Sequence, residues 1–373
     1  MRGSGGAEPP GGGKLGLVGK PWVLHVDLDQ FIAAVEVLRR PELAGKAVIV
    51  GGRGDPTERA VVSTASYEAR AYGVGSGMPL RIAARKVPDA VILPVDHHAY
   101  LAASEKVMSV LRSQPGATVQ VLGWDEAFVG VQTEDPEAYA RQLQHAVLED
   151  TRLHCSVGVG DTLVRAKVAT SFGKPAGVFR LTEDNWLDVM GGRPTIELWG
   201  VGTKVSRRLA KLGIETVAQL AASNPEDLVP EFGPNMGPWY AQLGRGDGAR
   251  IVDDTPWVAR GHSRETTFQR DLTEPAQIDG AVRELAAHVL EDVAAEGRPV
   301  IALTLKVRYA PFITRTYARK IPETSDPAEV LARALDLAAK IEPGRPIRLL
   351  GLRAEMTMPE DSRQGHTPTR SGW

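Results

Sequence analysis

Short apolar runs alternate with amphipathic stretches along most of the chain. Residues 22–26 are apolar and β-branched, which predicts a strand ending at Asp27. Phe31, Ala34 and Val35 then recur at helical spacing and predict a helix over 31–38. Further strands are predicted at 46–50, 60–64 and 90–94, with helices over 78–87 and 100–111. Residues 119–131 hold two apolar runs flanking Asp125 and Glu126, the pattern of a hairpin with adjacent acids at its turn. A helix over 136–149, a strand at 155–159 and a helix over 162–172 follow, until Gly173-Lys174-Pro175 breaks the pattern. Strands and helices thus alternate through 22–182, with two helices available to cover one sheet face: an α+β layer arrangement.

The second half reads differently. In 195–222, Gly200-Val201-Gly202 sits between two apolar helical runs, with Lys204, Arg207 and Arg208 close behind. This is a helix-hairpin-helix pattern, in which glycines let backbone N–H groups approach a phosphate; a tight turn between packed helices would look the same. A polar stretch with Gly and Pro, 247–256, reads as a linker. Beyond it the order is strand 264–268, helix 276–295, strand 299–309, strand 313–321, helix 327–341, strand 346–357, a βαββαβ layout. Leu303, Leu305 and Val307 alternate with Thr304, Lys306 and Arg308, so one face is apolar and the other basic. Arg315 and Arg319 share a face on the next strand, and Arg264 lies on the first. Such a face is either solvated or a phosphate track.

Composition narrows the class. A chain of 373 residues exceeds one ordinary core, so two or more domains are expected. No apolar run is long enough to span a membrane. The single cysteine, Cys155, fits a reducing cytoplasm, and its strand-like setting reads as core. The net charge of −2 does not advertise nucleic-acid binding, but local distribution matters more than the total. The Gly-rich residues 1–20 and the tail 359–373 lack periodicity and are expected to be disordered.

The candidate chemistry lies in the acids. Asp27 and Asp29 differ by two, so on an extended chain they share a face. Taken alone, acids after a strand read as turn formers or N-caps before they read as metal ligands. Asp125 and Glu126 change that weighting, because three carboxylates on neighbouring strands are hard oxygen ligands suited to Mg²⁺ and phosphate substrates.

Val26-Asp27-Leu28-Asp29-Gln30-Phe31 with Ala33-Ala34-Val35-Glu36 resembles the first catalytic motif of the Y-family DNA polymerases of DinB type, the lesion-bypass enzymes. Trp124-Asp125-Glu126-Ala127-Phe128 resembles their second carboxylate motif, and Tyr67-x-x-Arg70-x-x-Gly73-Val74 with Met78-Pro79 resembles their fingers motif. The resemblance covers roughly 21–358. It implies a right-hand polymerase: a ferredoxin-like palm (21–30 and 97–182), small fingers (31–96), a helix-hairpin-helix thumb (183–250), a linker (251–258) and a βαββαβ little finger (259–358). It implies that Asp27, Asp125 and Glu126, with the Leu28 carbonyl, hold two Mg²⁺ ions, Mn²⁺ being an alternative. Phe31, Ile32, Thr64, Tyr67, Arg70 and Lys174 would contact the nucleotide; Gly200, Gly202, Lys204, Arg264, Lys306, Arg308, Arg315 and Arg319 would contact DNA. Primer–template DNA and dNTPs are the implied partners of a cytoplasmic, monomeric enzyme without proofreading.

One position departs from the family pattern. The residue after the motif's Phe is aromatic in most members and packs where a ribose 2′-hydroxyl would sit; here it is Ile32. A smaller side chain leaves room there, so rNTP use is expected beside dNTP use; the alternative is that Ile32 packs similarly, or its neighbours compensate, and the hydroxyl stays excluded. Arg363-Gln364-Gly365-His366 holds no convincing sliding-clamp motif, which leaves clamp recruitment open. The competing readings are a non-catalytic DNA-binding scaffold of the same fold and a nucleotide cyclase; the second gives 195–222 and 259–358 no purpose.

Overall fold

The computed structural model describes residues 19–359. The expected tails lie outside the described residues except for Gly19, Lys20 and Pro359, and so does the 363–366 segment. The described chain forms two compact units, one of residues 19–50, 63–76 and 89–255, the other of 51–62, 77–88 and 256–359. Segment 31–96 contributes to both.

The first unit begins with β1 (Lys20–Leu28), α1 (Phe31–Arg39), β2 (Val48–Val50), β3 (Thr64–Ala65) and α2 (Tyr67–Arg70). After α3 (Leu80–Lys86), which belongs to the second unit, come β4 (Val91–Leu93), α4 (His97–Ser113), β5 (Thr118–Val121), β6 (Glu126–Thr133) and α5 (Pro136–Thr151). Next are β7 (Cys155–Gly160), α6 (Leu163–Gly173) and β8 (Val178–Leu181). Sheet order is β5-β6-β1-β7-β8, antiparallel except for the β7/β8 pair. The alternation of β1 divides its side chains: Leu24, Val26 and Leu28 join the core with Val107 and Leu111 of α4 and Leu143 and Val147 of α5. Val23 belongs instead to the cluster with Ala166 of α6. Asp96, Asp135 and Thr162 cap α4, α5 and α6 by accepting from Ala99, Ala138 and Arg165 amides, each worth about 1 kcal/mol. α6 lies against β7 so closely that a Cβ on Gly158 would come 2.1 Å from the Ala166 carbonyl oxygen. Only glycine permits that approach.

Two local expectations change. The strand expected at 60–64 shrinks to Thr64–Ala65, because the residues before it bond elsewhere: Val62 N–H to Met78 O, and Leu80 N–H to Ala60 O. The apolar run before Gly200 is a 3₁₀ turn, Thr195–Glu197, rather than a helix. Gly200 itself has φ +90°, and a Cβ there would meet the Trp239 ring at 2.9 Å. Around it pack α7 (Trp186–Met190), α8 (Thr203–Lys211), α9 (Val217–Ala222) and α10 (Pro225–Gly244), the last kinked at Gly233. Their cluster is built on Leu209, Val217, Leu220, Leu228 and Ala241.

The second unit contains β9 (Gly261–Leu272), α11 (Pro275–Glu296), β10 (Val300–Tyr309), β11 (Ile313–Thr324), α12 (Pro327–Ala338) and β12 (Ile347–Met356). This is the expected βαββαβ order. The sheet runs β11-β10-β12-β9, all antiparallel. Leu303, Leu305, Val307, Leu350 and Leu352 pack with Leu285 and Val289 of α11 and Val330 and Leu337 of α12.

Candidate active site

The central strand sets the geometry. Asp27 pairs with Glu126 across β1 and β6, so these carboxylates issue from directly opposed positions. Asp125 ends the turn between β5 and β6, and its carbonyl accepts from the Leu28 amide at 2.8 Å. Asp27, Asp125 and Glu126 are therefore brought together. Leu28 follows on the same strand, its side chain buried in the core.

Their environments differ. Burial, then the charges of Asp27 and Glu126, raise the Asp125 carboxyl above its ordinary range. Burial alone would push Glu126 up as well, but the His25 ring and the Lys167 ammonium beside it bring it down to about 2. Lys174 lies on Asp27. His25 is buried under α6, its Nδ1 2.8 Å from the Thr170 hydroxyl and its Nε2 3.1 Å from Lys167 Nζ. A cleft of about 340 Å³ is lined by His25, Asp27, Lys167, Thr170, Lys174 and Trp199. One ligand atom each from His25, Asp27 and Glu126 lies within 4.8 Å of the others, close enough to share a divalent ion. Oxygen-rich donors with an unneutralised acid beside them fit a hard cation.

Asp29 has another task. β1 ends at Leu28, so the face shared on an extended chain is not kept. Asp29 is buried and accepts from Tyr67 Oη at 3.0 Å, Ser156 Oγ at 2.9 Å and the Ala176 amide at 2.7 Å. The paired acids are Asp27 and Glu126, not Asp27 and Asp29. Gln30 Oε1 in turn accepts from the Tyr67 amide at 2.6 Å. Burial, and Asp29 after it, raise the Tyr67 phenol. Arg70 donates to Ala65 O at 2.8 Å and lies 5.4 Å from the Tyr67 ring centroid. Thr64 pairs with Val50 in the small sheet β3-β2-β4. Phe31 is a core residue, 3% exposed, so of that pair only the half-buried Ile32 offers surface.

The basic candidates separate. Gly202 caps α8, and Lys204 is exposed in its first turn. Lys306 and Arg308 lie on the sheet face without helices, Lys306 bonded to Glu265 at 2.7 Å and Arg308 to Thr314 at 3.0 Å. Arg315 and Arg319 oppose Val307 and Leu303, and Arg264 opposes Leu352, which puts all three on the helix-covered side. Arg319 there meets Asp336 at 3.7 Å, and Arg264 meets Asp292 at 2.7 Å. Lys306 and Arg308 therefore do not form one track with Arg315 and Arg319. Cys155 is core: burial, with Asp29 and Asp27 nearby, pushes its thiol up to about 12.

Sequence reasoning missed His25, Lys167 and Thr170. The signals existed: His25 and Asp27 sit two apart on one strand, and Lys167, Thr170, Ser171 and Lys174 follow helical spacing.

Solved structures share this fold. A Y-family DNA polymerase chimera, Dbh-Dpo4(243-245)-Dbh, aligns with a TM-score of 0.82 over 91% of this chain and 100% of its own, at 23% identity. An insertion ternary complex of Dbh DNA polymerase aligns at 0.61 over 90% and 99%, also at 23% identity. The model of the impB/mucB/samB family matches residues 26–171, and that of the family's C-terminal domain matches 259–367. "DNA polymerase IV 2" of Mycobacterium tuberculosis is 49% identical over 340 residues, 90% of this chain and 98% of that protein. "DNA polymerase IV" of Methanoculleus marisnigri is 38% identical over 346 residues, 90% and 94%. The chain therefore belongs to the impB/mucB/samB family, the DinB-type Y-family polymerases. Its class is DNA-directed DNA polymerase.

Proposed function

We propose that this chain extends a DNA primer on a template by nucleotidyl transfer at Asp27, Asp125 and Glu126, with low fidelity, lesion bypass and no proofreading. The carrying observation is the opposed pairing of Asp27 and Glu126 with Asp125 beside them. Two Mg²⁺ or Mn²⁺ ions held by these carboxylates would supply Lewis acidity to the primer hydroxyl and the α-phosphate. The chain's own residues do the rest. Lys174 neutralises the triphosphate, which draws it off Asp27. Arg70 offers its remaining guanidinium N–H groups to the same phosphates, and Thr64 its hydroxyl. The Tyr67 hydroxyl proton is committed to Asp29, so Tyr67 reaches a phosphate only by exchanging that partner. Lys306 and Arg308 are the DNA contacts the open sheet face favours; Arg264, Arg315 and Arg319 need a backbone that passes the sheet edges.

Primer extension on a DNA primer–template, with Asp125→Ala as control, tests this reading. Extension lost in the control supports it; DNA binding without extension under Mg²⁺ or Mn²⁺ leaves a scaffold. The half-buried Ile32 beside a core-bound Phe31 favours a second element, entry of rNTPs as well as dNTPs. Comparable use of both sugars, with rNTP use falling at least about tenfold in Ile32→Phe, is the expected result. A strong dNTP preference unchanged by that substitution refutes it.

A further inference from the structure

We propose that Lys167 is a resident cation of the carboxylate site: a positioning residue that holds Glu126 and competes there with any divalent ion. The inference rests on the proposed metal role of these carboxylates. Lys167 Nζ contacts the Glu126 carboxylate and lies 3.1 Å from His25 Nε2. The Thr170 hydroxyl holds the ring from its other side, 2.8 Å from Nδ1. Nε2 lies 3.2 Å from a Glu126 carboxylate oxygen, and the Lys167 ammonium reaches both groups.

The ammonium is thus held between a buried imidazole and a carboxylate. Its helix is seated on β7 at Gly158, and Gly158 is the residue opposite His25 in the β1/β7 ladder. The place it occupies is the one where His25, Asp27 and Glu126 could share a divalent ion. Lys174 covers Asp27 in the same way, but as the last residue's neighbour at the end of α6 it has no buried imidazole to anchor it. Both paired carboxylates are therefore matched by ammonium groups before any metal arrives. A nucleotide that attracts Lys174 clears Asp27 and leaves Lys167 as the remaining competitor. Weak binding of divalent ions to the free protein is the expected consequence.

The test is Mn²⁺ binding to the nucleotide-free full chain, followed by electron paramagnetic resonance, for wild type, Lys167→Met, Lys167→Gln and Lys167→Arg. Removing one positive charge from beside the ion is expected to tighten Mn²⁺ binding on the order of tenfold in the Met and Gln variants. The Arg variant, which keeps the charge, is expected to bind as wild type does. Circular dichroism identifies a variant that has not folded, and the other neutral variant then decides. Unchanged or weaker Mn²⁺ binding in a folded Met or Gln variant overturns the proposal, as does an Arg variant that tightens like them. Primer extension by the wild type separates the two readings: extension with Mn²⁺ binding insensitive to residue 167 refutes the lysine's role alone.

Discussion

Asp29→Ala is expected to destabilise the first unit by about 3 kcal/mol, and the figure follows from three hydrogen bonds. Ser156 is fully buried, and losing its charged acceptor costs about 1.5–3 kcal/mol. Tyr67 is half-buried and the Ala176 residue exposed, so their freed donors regain water and cost roughly half as much each. Releasing a buried charge returns part of the sum. For a unit of this size about 3 kcal/mol lowers Tm by roughly 6–12 °C, read by differential scanning calorimetry. Asp29→Asn is the control. Its amide can turn so that the oxygen takes the Ala176 N–H while the NH₂ donates to both hydroxyls, which leaves a loss of about 1 kcal/mol. An Ala variant melting within about 2 °C of wild type would refute the structural role.

Three further outcomes are expected. Asp125→Asn should raise the metal-free Tm at pH 7 while abolishing extension: a carboxyl raised in the fold binds its proton more tightly there than when unfolded, so its charge costs stability above the ordinary range. Acid should destabilise the protein in two stages. Burial first, opposed by Glu126, lowers His25 below 6.5, so its contribution is lost as pH falls from there. Glu126, depressed to about 2, contributes fully above 4.5 and loses that contribution as pH falls through about 2. Urea midpoints against pH should show both stages, and Glu126→Gln should remove the lower one. Gly158→Ala should cost about 3 kcal/mol or more, because its methyl would sit 2.1 Å from backbone oxygen and α6 would have to move off β7; an unchanged chemical-unfolding midpoint would contradict this.

Much of the architecture was legible because its periods are clean. The β1 run, the stripes of α4 and α5, and the βαββαβ unit all follow period 2 or 3.6. The acids at 27, 125 and 126 were legible as a group because two strand signals flank them. Asp29 was misread where alternation was carried one residue past the end of its strand. His25 was passed over because a histidine in an apolar run reads as core; its importance lies in what α6 brings over it, a tertiary fact. Alternation put Arg315 and Arg319 on one face, but it cannot say which face the helices cover; that needed the pairing with Val307 and Leu303. The roles proposed for Ile32, Tyr67 and Lys174 came only from the family likeness, since a lone side chain on a helix or turn has no signature of its own.

β1 is held on both edges, by β6 from Lys20 to Asp27 and by β7 from Val23 to Leu28. A one-residue slip on either side would turn Asp27 into the core and Leu28 towards the cleft. The spacing between Asp27 and Glu126 is thus written into peptide groups, not into flexible side chains. Amides in the middle of this strand should exchange with solvent only through global unfolding, hours slower than those of α2 or the 174–177 turn. The carboxylate pair would then stand on a slowly exchanging strand, and any motion on substrate binding would fall to the lysines and loops that face it.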